Sequence, residues 1–231
     1  MLAALPPVEL VLLSPAIREV SLSRGMVLRE PGDVVEYVYF PNDALISLVT
    51  VMQDGQSIET ATIGREAALD MTTALSSACA TARAVVRVPG TAARISATEF
   101  RAATIKGVVL RDLATRCNQL LIAQTQQSAA CNALHNTEAR LCRWLLDYSD
   151  RAGEALELTQ DLLAQALGVR RTTVTLIAQL LQTAGAIRYR RGVIQILDRA
   201  ALERSACECY RAIRQQVDGL LPESRNEPKS A

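Results

Sequence analysis

The 231-residue chain is poor in several chemistries at once. Histidine occurs once, at His135, so no second imidazole is present to share a metal or a proton relay. The six cysteines, Cys79, Cys117, Cys131, Cys142, Cys207 and Cys209, form no CxxC pair and have no histidine cluster in sequence. That spacing reads as reduced, partly buried thiols with no metal bound. No glycine loop of the phosphate-cradling kind occurs, the single histidine has no neighbouring nucleophile pattern, and the acids are scattered, so the residues describe no enzyme. Residues 1–22 are apolar but lack a basic leader and are broken by Pro6, Pro7 and Pro15. No uncharged run is long enough to span a bilayer, and a soluble, cytoplasmic protein with no membrane partner is expected.

Lysine is also scarce, with only Lys106 and Lys229, and the net charge is +1. The charge is nevertheless uneven. Residues 168–197 carry Arg170, Arg171, Arg188, Arg190 and Arg191 and not one aspartate or glutamate. A local cationic field of this kind is suited to a polyanion.

The first hundred residues read as short strands. Arg24-Gly25, Pro31-Gly32, Pro41-Asn42, Asp54-Gly55, Gly64 and Pro89-Gly90 separate β-prone runs such as "EYVYF", "ALISLVTVM", "QSIETATI" and "RAVVRV". Turns about every ten residues suggest an antiparallel sandwich or barrel. Asp54-Gly55 is expected to close a hairpin through a type I′ turn. Residues 104–136 then contain no proline and read as one long helix. Leu110, Leu113, Cys117, Leu120, Gln124, Gln127, Cys131 and Leu134 recur at spacings of three and four, predicting a coiled-coil seam with a second copy of the chain. Packing on its own domain is the other option for this helix. Gln124 and Gln127 either fix the register of the seam or face a ligand.

Residues 137–153 predict a further helix with Leu141, Leu145 and Tyr148 on its apolar side. Beyond it, Thr159 caps a short helix, Gly168 makes a turn, a second helix runs to about Ala184, and "AIRYRRGVIQIL" forms a hairpin with Gly192 at the tip. This is a helix-turn-helix followed by a wing. At a hundred degrees per residue, Val174, Ile177, Ala178 and Leu181 pack inward. Thr172, Thr175, Leu176 and Gln179 point outward, with Arg171 at the edge. Such a helix fits the major groove, where arginine bonds guanine and threonine suits thymine. The backbone amide of Gln160 is expected to hold a phosphate, and Arg188, Arg190 and Arg191 to meet phosphates or the minor groove.

These segments together resemble the Crp/Fnr family of transcription regulators, the cyclic-AMP receptor protein superfamily. The resemblance covers nearly the whole chain: "LSRGMVLREPGD" and "YVYF", the long helix, and above all "LTQDLLAQALGVRRTTVTLIAQLLQTAGAI". The segment "IRYRRGVIQILDRAALERSACECYR" further resembles a proteobacterial subgroup. The resemblance implies an α+β fold: a β-roll (jelly-roll) sensor over 1–103, a dimerisation helix over 104–136 and a winged helix-turn-helix over 137–231. It implies a homodimer on a two-fold symmetric site in double-stranded DNA, with RNA polymerase as a partner. The family's readers fall on Arg171, Thr172 and Leu176, with Thr173 near a phosphate and Arg170, Thr175 and Gln160 in the same interface. The family founder has arginine, glutamate and arginine at the reading positions, so the DNA sequence read here should differ.

The sensor pocket departs from the nucleotide-binding pattern. In "TIGREAALDM" Glu66 stands one residue late with Arg65 inserted, and in "CATARAVVRV" Arg83 is followed by alanine where the family pattern has a hydroxyl residue. Arg65, Glu66, Arg83, Gln124 and Gln127 are the candidate effector residues, for an unidentified small molecule and not a cyclic nucleotide. No cofactor is implied: clustered N-terminal cysteines for an iron-sulfur sensor are missing, and His135 reads as structural, not as a haem ligand. A cyclic-nucleotide-binding regulatory module of a signalling complex, enzyme or channel is the alternative. A sequence-tolerant nucleoid protein would need a lysine-rich surface.

Overall fold

In a computed structural model, residues 1–76 and 78–220 are described. The chain divides into two compact units, one built from 1–47, 62–123 and the residues from 215, the other from 48–61 and 124–214. In chain order the elements are α1 (Pro7–Leu13), β1 (Arg18–Leu22), β2 (Val27–Arg29), β3 (Tyr37–Pro41), β4 (Leu45–Val51), β5 (Ser57–Ile63), α2 (Met71–Ser76), β6 (Arg83–Val88), β7 (Gly90–Ser96) and α3 (Ala97–Lys106). They continue with α4 (Val108–Leu134), α5 (Thr137–Ala152), β8 (Ala155–Glu157), α6 (Gln160–Leu167), α7 (Arg171–Thr183), β9 (Ile187–Arg190), β10 (Val193–Ile196), α8 (Arg199–Ser205) and α9 (Cys209–Leu220).

The N-terminal strands form two sheets, ordered β1-β7-β3 and β2-β6-β4-β5. β7 pairs antiparallel with both neighbours, from Arg18 opposite Arg94 on one edge to Tyr37 opposite Ser96 on the other. Inward side chains Val38, Ile46, Ile63, Val86 and Ile95 are buried, with Phe100 of α3 beneath Phe40. Burying such side chains gives about 1.5–3 kcal/mol each before the entropy of ordering them is subtracted. Three helices in this region, α1, α2 and α3, were not expected from the strand-like punctuation.

The hairpin at Asp54-Gly55 forms, but through a different turn. Only Gly55 has positive φ, at 85°. Gly55 N–H donates to Met52 O at 3.0 Å and Met52 N–H to Gln56 O at 2.8 Å, which is a three-residue loop ending in a left-handed glycine. Asp54 Oδ1 accepts from Gln56 N–H at 3.0 Å, so the aspartate serves the turn with its side chain and stays right-handed.

The expected single helix over 104–136 is broken at Gly107, whose extended backbone (φ −92°, ψ 103°) ends α3 before α4 begins. The break has a specific partner. Glu9 accepts from the amides of Val109 at 3.0 Å and Leu110 at 2.8 Å, satisfying two orphan donors with a carboxylate at the positive end of the helix. A Cβ at Gly107 would lie 2.9 Å from that carboxylate, so a larger residue would press on Glu9 where it approaches the helix start.

In the second unit α5 starts with Asn136 Oδ1 accepting from Ala139 N–H at 2.9 Å and ends at Gly153, φ 82°. Leu141, Leu145 and Tyr148 are buried as their spacing predicts. The same helix also buries Arg143 and Asp147, paired at 2.9 Å. Burial pushes the Asp147 carboxyl up to about 6, against the pull of Arg143. Trp144 stacks on Tyr148 with ring centroids 3.5 Å apart, and both donate to Glu59 of β5, at 2.7 and 2.6 Å.

Candidate nucleic-acid interface

Thr159 caps α6, its Oγ1 accepting from Leu162 N–H at 3.2 Å. α6 ends at Gly168 in the left-handed conformation (φ 63°), with Val169 N–H returning to Ala164 O and Gly168 N–H to Gln165 O. That is a Schellman turn, and a Cβ there would also meet Ile58 at 2.9 Å. The chain leaves it directly into α7.

α7 buries Val174, Ile177, Ala178 and Leu181, the face its periodicity predicts. Arg170, Arg171, Thr172, Leu176, Gln179 and Leu180 are exposed. Thr175 departs from expectation. It is half-buried, and its hydroxyl donates to Gln160 Oε1 at 2.8 Å and to Arg171 O at 3.0 Å, so it ties the two helices together. Thr173 is also half-buried.

Arg171 is held at its base. Nη1 lies 3.1 Å from Asp161 Oδ2, an ion pair with both side chains well exposed, and Nε points to Gln160 Oε1 at 3.4 Å. The Gln160 backbone N–H, expected to face a phosphate, faces the Tyr189 hydroxyl, which in turn donates to Leu158 O at 2.9 Å. Burial pushes that hydroxyl above its usual range, with Arg171 acting the other way. Thr159, Gln160, Asp161, Arg171, Tyr189 and Arg191 line a cleft of about 420 Å³ between α6 and the wing. Asp161 and Tyr189 were missed by the sequence reading; the short helix gave no sign that its second residue reaches α7.

β8, β10 and β9 form the third sheet, with β9 and β10 as the wing. Arg190 pairs with Val193, leaving Arg191 and Gly192 as a two-residue loop. Both have positive φ, 51° and 78°, the type I′ signature. Arg191 is one of two described non-glycine residues in that region, at a cost of about 1–2 kcal/mol. Arg188, Arg190 and Arg191 are all exposed.

Each candidate effector residue has neighbours of its own. Arg65 is exposed, and its carbonyl accepts from the N-terminal amine at 2.9 Å. Glu66 turns back to accept from Gly64 N–H at 3.2 Å. Arg83 donates to both carboxylate oxygens of Glu30 at 3.0 and 2.9 Å, which raises its pKa through that bond. Gln124 and Gln127 belong to the other unit, where Gln124 is buried and Gln127 donates to Cys209 Sγ at 3.0 Å.

The predicted seam is corrected by burial. Leu110, Leu113, Cys117, Leu120, Gln124 and Cys131 are buried within the single chain, and Cys117 Sγ bonds the backbone of Ala68. Burial raises the Cys117 thiol to about 11. Spacing revealed an apolar face but not which body covers it. Leu134 alone of the apolar seam residues is open to solvent, at 79 %. The cysteines are free and five of the six are buried, as expected, but four residues that no sequence spacing links, Cys131, His135, Cys207 and Cys209, meet.

A two-sheet N-terminal roll, a long helix and a capped helix-turn-helix with a cationic wing define a winged-helix DNA-binding regulator. Residues 139–205 match the Crp-like helix-turn-helix domain family and residues 19–105 the cyclic nucleotide-binding domain family. The chain belongs to the Crp/Fnr family of transcriptional regulators. No curated protein matches it in sequence. Among solved structures it is similar to FixK2 from Bradyrhizobium japonicum, with 14 % identity, TM-score 0.71 and coverage of 83 % of this chain and 98 % of that one. It is similar to the c-di-GMP responsive global regulator CLP of Xanthomonas campestris, at 14 % identity, TM-score 0.69 and coverage of 83 % and 99 %. TTHA1359, a Crp/Fnr regulator from Thermus thermophilus, aligns at 24 % identity and TM-score 0.68 over 82 % and 98 %. Among the described residues, no helix is long and apolar enough to cross a membrane.

Proposed function

We propose that the chain is a homodimeric, sequence-specific transcriptional regulator, acting in the cytoplasm on a two-fold symmetric site in double-stranded DNA. The observation that carries this reading is the exposed edge of α7. Arg171, Thr172 and Leu176 stand free of the packed face, next to Arg170 and the three wing arginines, in a stretch without acids. Arg171, Thr172 and Leu176 read base edges, while Arg170, Thr173, Arg188, Arg190 and Arg191 position the backbone. Thr175 and Gln160 act behind them by holding α7 on α6.

The partner in the dimer is a second copy, and the face that meets it is the exposed one: Thr115, Gln119, Ile122, Gln126, Ala129 and Ala133, again at spacings of three and four. The β-roll takes a small-molecule effector other than a cyclic nucleotide, since Glu30 already occupies the guanidinium of Arg83 that a cyclic phosphate would need. RNA polymerase is the further protein partner.

Selection of bound duplexes from a random pool, followed by competition at fixed salt, tests the reading. The selected site should be a palindrome preferred over random duplex by about 4–10 kcal/mol. Equal affinity for both would rule out a specific regulator.

A further inference from the structure

Residues far apart in the sequence gather at one end of α4. Cys131 and His135 stand one turn apart at its C-terminal end, with His135 N–H still donating to Cys131 O at 3.1 Å. Cys207 and Cys209 flank Glu208 where α8 gives way to α9. The three sulfurs and one imidazole nitrogen all lie within 4.8 Å of one another, and all three cysteines are buried.

The geometry points to a structural zinc site, with Cys131, Cys207, Cys209 and His135 Nδ1 as its four ligands. Zinc bound at about 2.3 Å to sulfur and about 2.0–2.1 Å to nitrogen sets tetrahedral edges of about 3.8 Å between sulfurs and about 3.5 Å from sulfur to nitrogen. Cys131 Sγ lies 3.5 Å from Cys207 Sγ, and Cys209 Sγ 3.6 Å from His135 Nδ1. A polynuclear iron–sulfur cluster holds its ligands wider apart. Four protein ligands close the coordination sphere, the mark of a structural ion and not of a catalytic one.

The surroundings suit a metal-bound state. His135 Nε2 lies 3.1 Å from Glu208 Oε1. That hydrogen bond places the proton on Nε2 and frees Nδ1 for the ion, the carboxylate–histidine–metal relay. Gln127 Nε2 donates to Cys209 Sγ at 3.0 Å, a bond suited to a thiolate. Three thiolates on a divalent ion leave one negative charge, and the guanidinium groups of Arg140 and Arg143 act on Cys131 and Cys207. With the ion bound, the end of α4 and the α8–α9 junction are joined by covalent-strength links.

The test is metal analysis of the full chain, expressed with zinc in the medium and purified under reducing conditions without chelator. About one zinc per chain should survive dialysis, and the exposed-cysteine control Cys79→Ser should keep it. Cys207→Ser and His135→Ala should lose most of it while retaining the wild-type circular dichroism. Should either variant fail to fold, cobalt(II) added to the reduced, metal-stripped wild-type chain decides. Strong visible bands of tetrahedral cobalt with thiolate charge transfer in the near ultraviolet support the site, and a pale octahedral spectrum overturns it. Substoichiometric zinc in the wild type, full zinc in Cys207→Ser, iron with inorganic sulfide, or a Cys131–Cys207 disulfide in freshly isolated protein would each overturn it too.

Discussion

Arg171 of α7 forms an ion pair with Asp161 of α6, Nη1 to Oδ2 at 3.1 Å, on the open face of the helix-turn-helix. An exposed pair of this kind adds little to stability. Under the proposed function its effect is on direction: the pair orients the guanidinium before DNA is bound. Arg171→Ala should therefore cost roughly 1–3 kcal/mol at one base pair of the selected site and little elsewhere. Arg190→Ala should weaken all duplexes alike and lower the salt slope by about 1. Binding to a set of single-base variants at several salt concentrations separates the two, and identical uniform losses would show that Arg171 is no reader.

Burial along α4 makes opposite predictions for neighbouring residues. Ile122 is 49 % exposed and Leu120 is fully buried. Ile122→Asp should give a folded monomer with much weaker binding to a palindromic site, because the charge lands on the face assigned to the partner. Leu120→Asp should instead destabilise the chain itself by several kcal/mol, the order of burying an unpaired charge. Sedimentation and thermal melting on both variants settle the matter. An intact Ile122→Asp dimer would exclude this face.

At the wing, stability and binding should part company. Asn tolerates positive φ better than arginine. Arg191→Asn is expected to leave unfolding free energy unchanged or raised by up to about 1 kcal/mol, and to weaken DNA binding uniformly. Chemical denaturation and gel-shift titration read the two effects. A loss of stability would mean that the Arg191 side chain makes a contact that matters more than its backbone strain.

Trp144 is the single tryptophan of the chain, so its fluorescence reports on the Glu59 contact directly. Glu59→Leu leaves the Trp144 indole and the Tyr148 hydroxyl without their carboxylate. Hydrogen bonds to a charged group contribute about 1.5–3 kcal/mol each. A loss of about 3 kcal/mol or more is expected, together with a shift of the tryptophan emission. Glu59→Gln, which keeps an acceptor, should lose less. Equal stability of all three chains would show that the hairpin is held by other contacts.

Much of the helix-turn-helix was legible because its signals are local. Thr159 as a cap, Gly168 as a turn and the inward set Val174, Ile177, Ala178 and Leu181 each follow from spacing within a few residues. The strands of the roll were legible for the same reason. What escaped is long-range. The carboxylate that splits the helix at Gly107 lies a hundred residues upstream at Glu9, and an apolar stripe such as Leu110 to Leu120 carries no mark of whether its cover is the same chain or another. The cysteine cluster was hidden likewise, since Cys131 and Cys207 meet only after the helices between them have folded. In the sensor, the motif positions of Arg83 and Glu66 could be found by resemblance, but their engagement by Glu30 and by Gly64 is a matter of three-dimensional neighbours.

The Glu9 clasp on the first turn of α4 has a mechanical side. With the amides of Val109 and Leu110 both seated on one carboxylate, the helix has a fixed origin and a fixed phase about its own axis at that end. The buried stripe from Leu110 to Leu120 then continues from that origin, so the clasp sets which face of the helix turns inward. A change in the first dozen residues would unseat that carboxylate and free the first turn of α4, a hundred residues further along the chain.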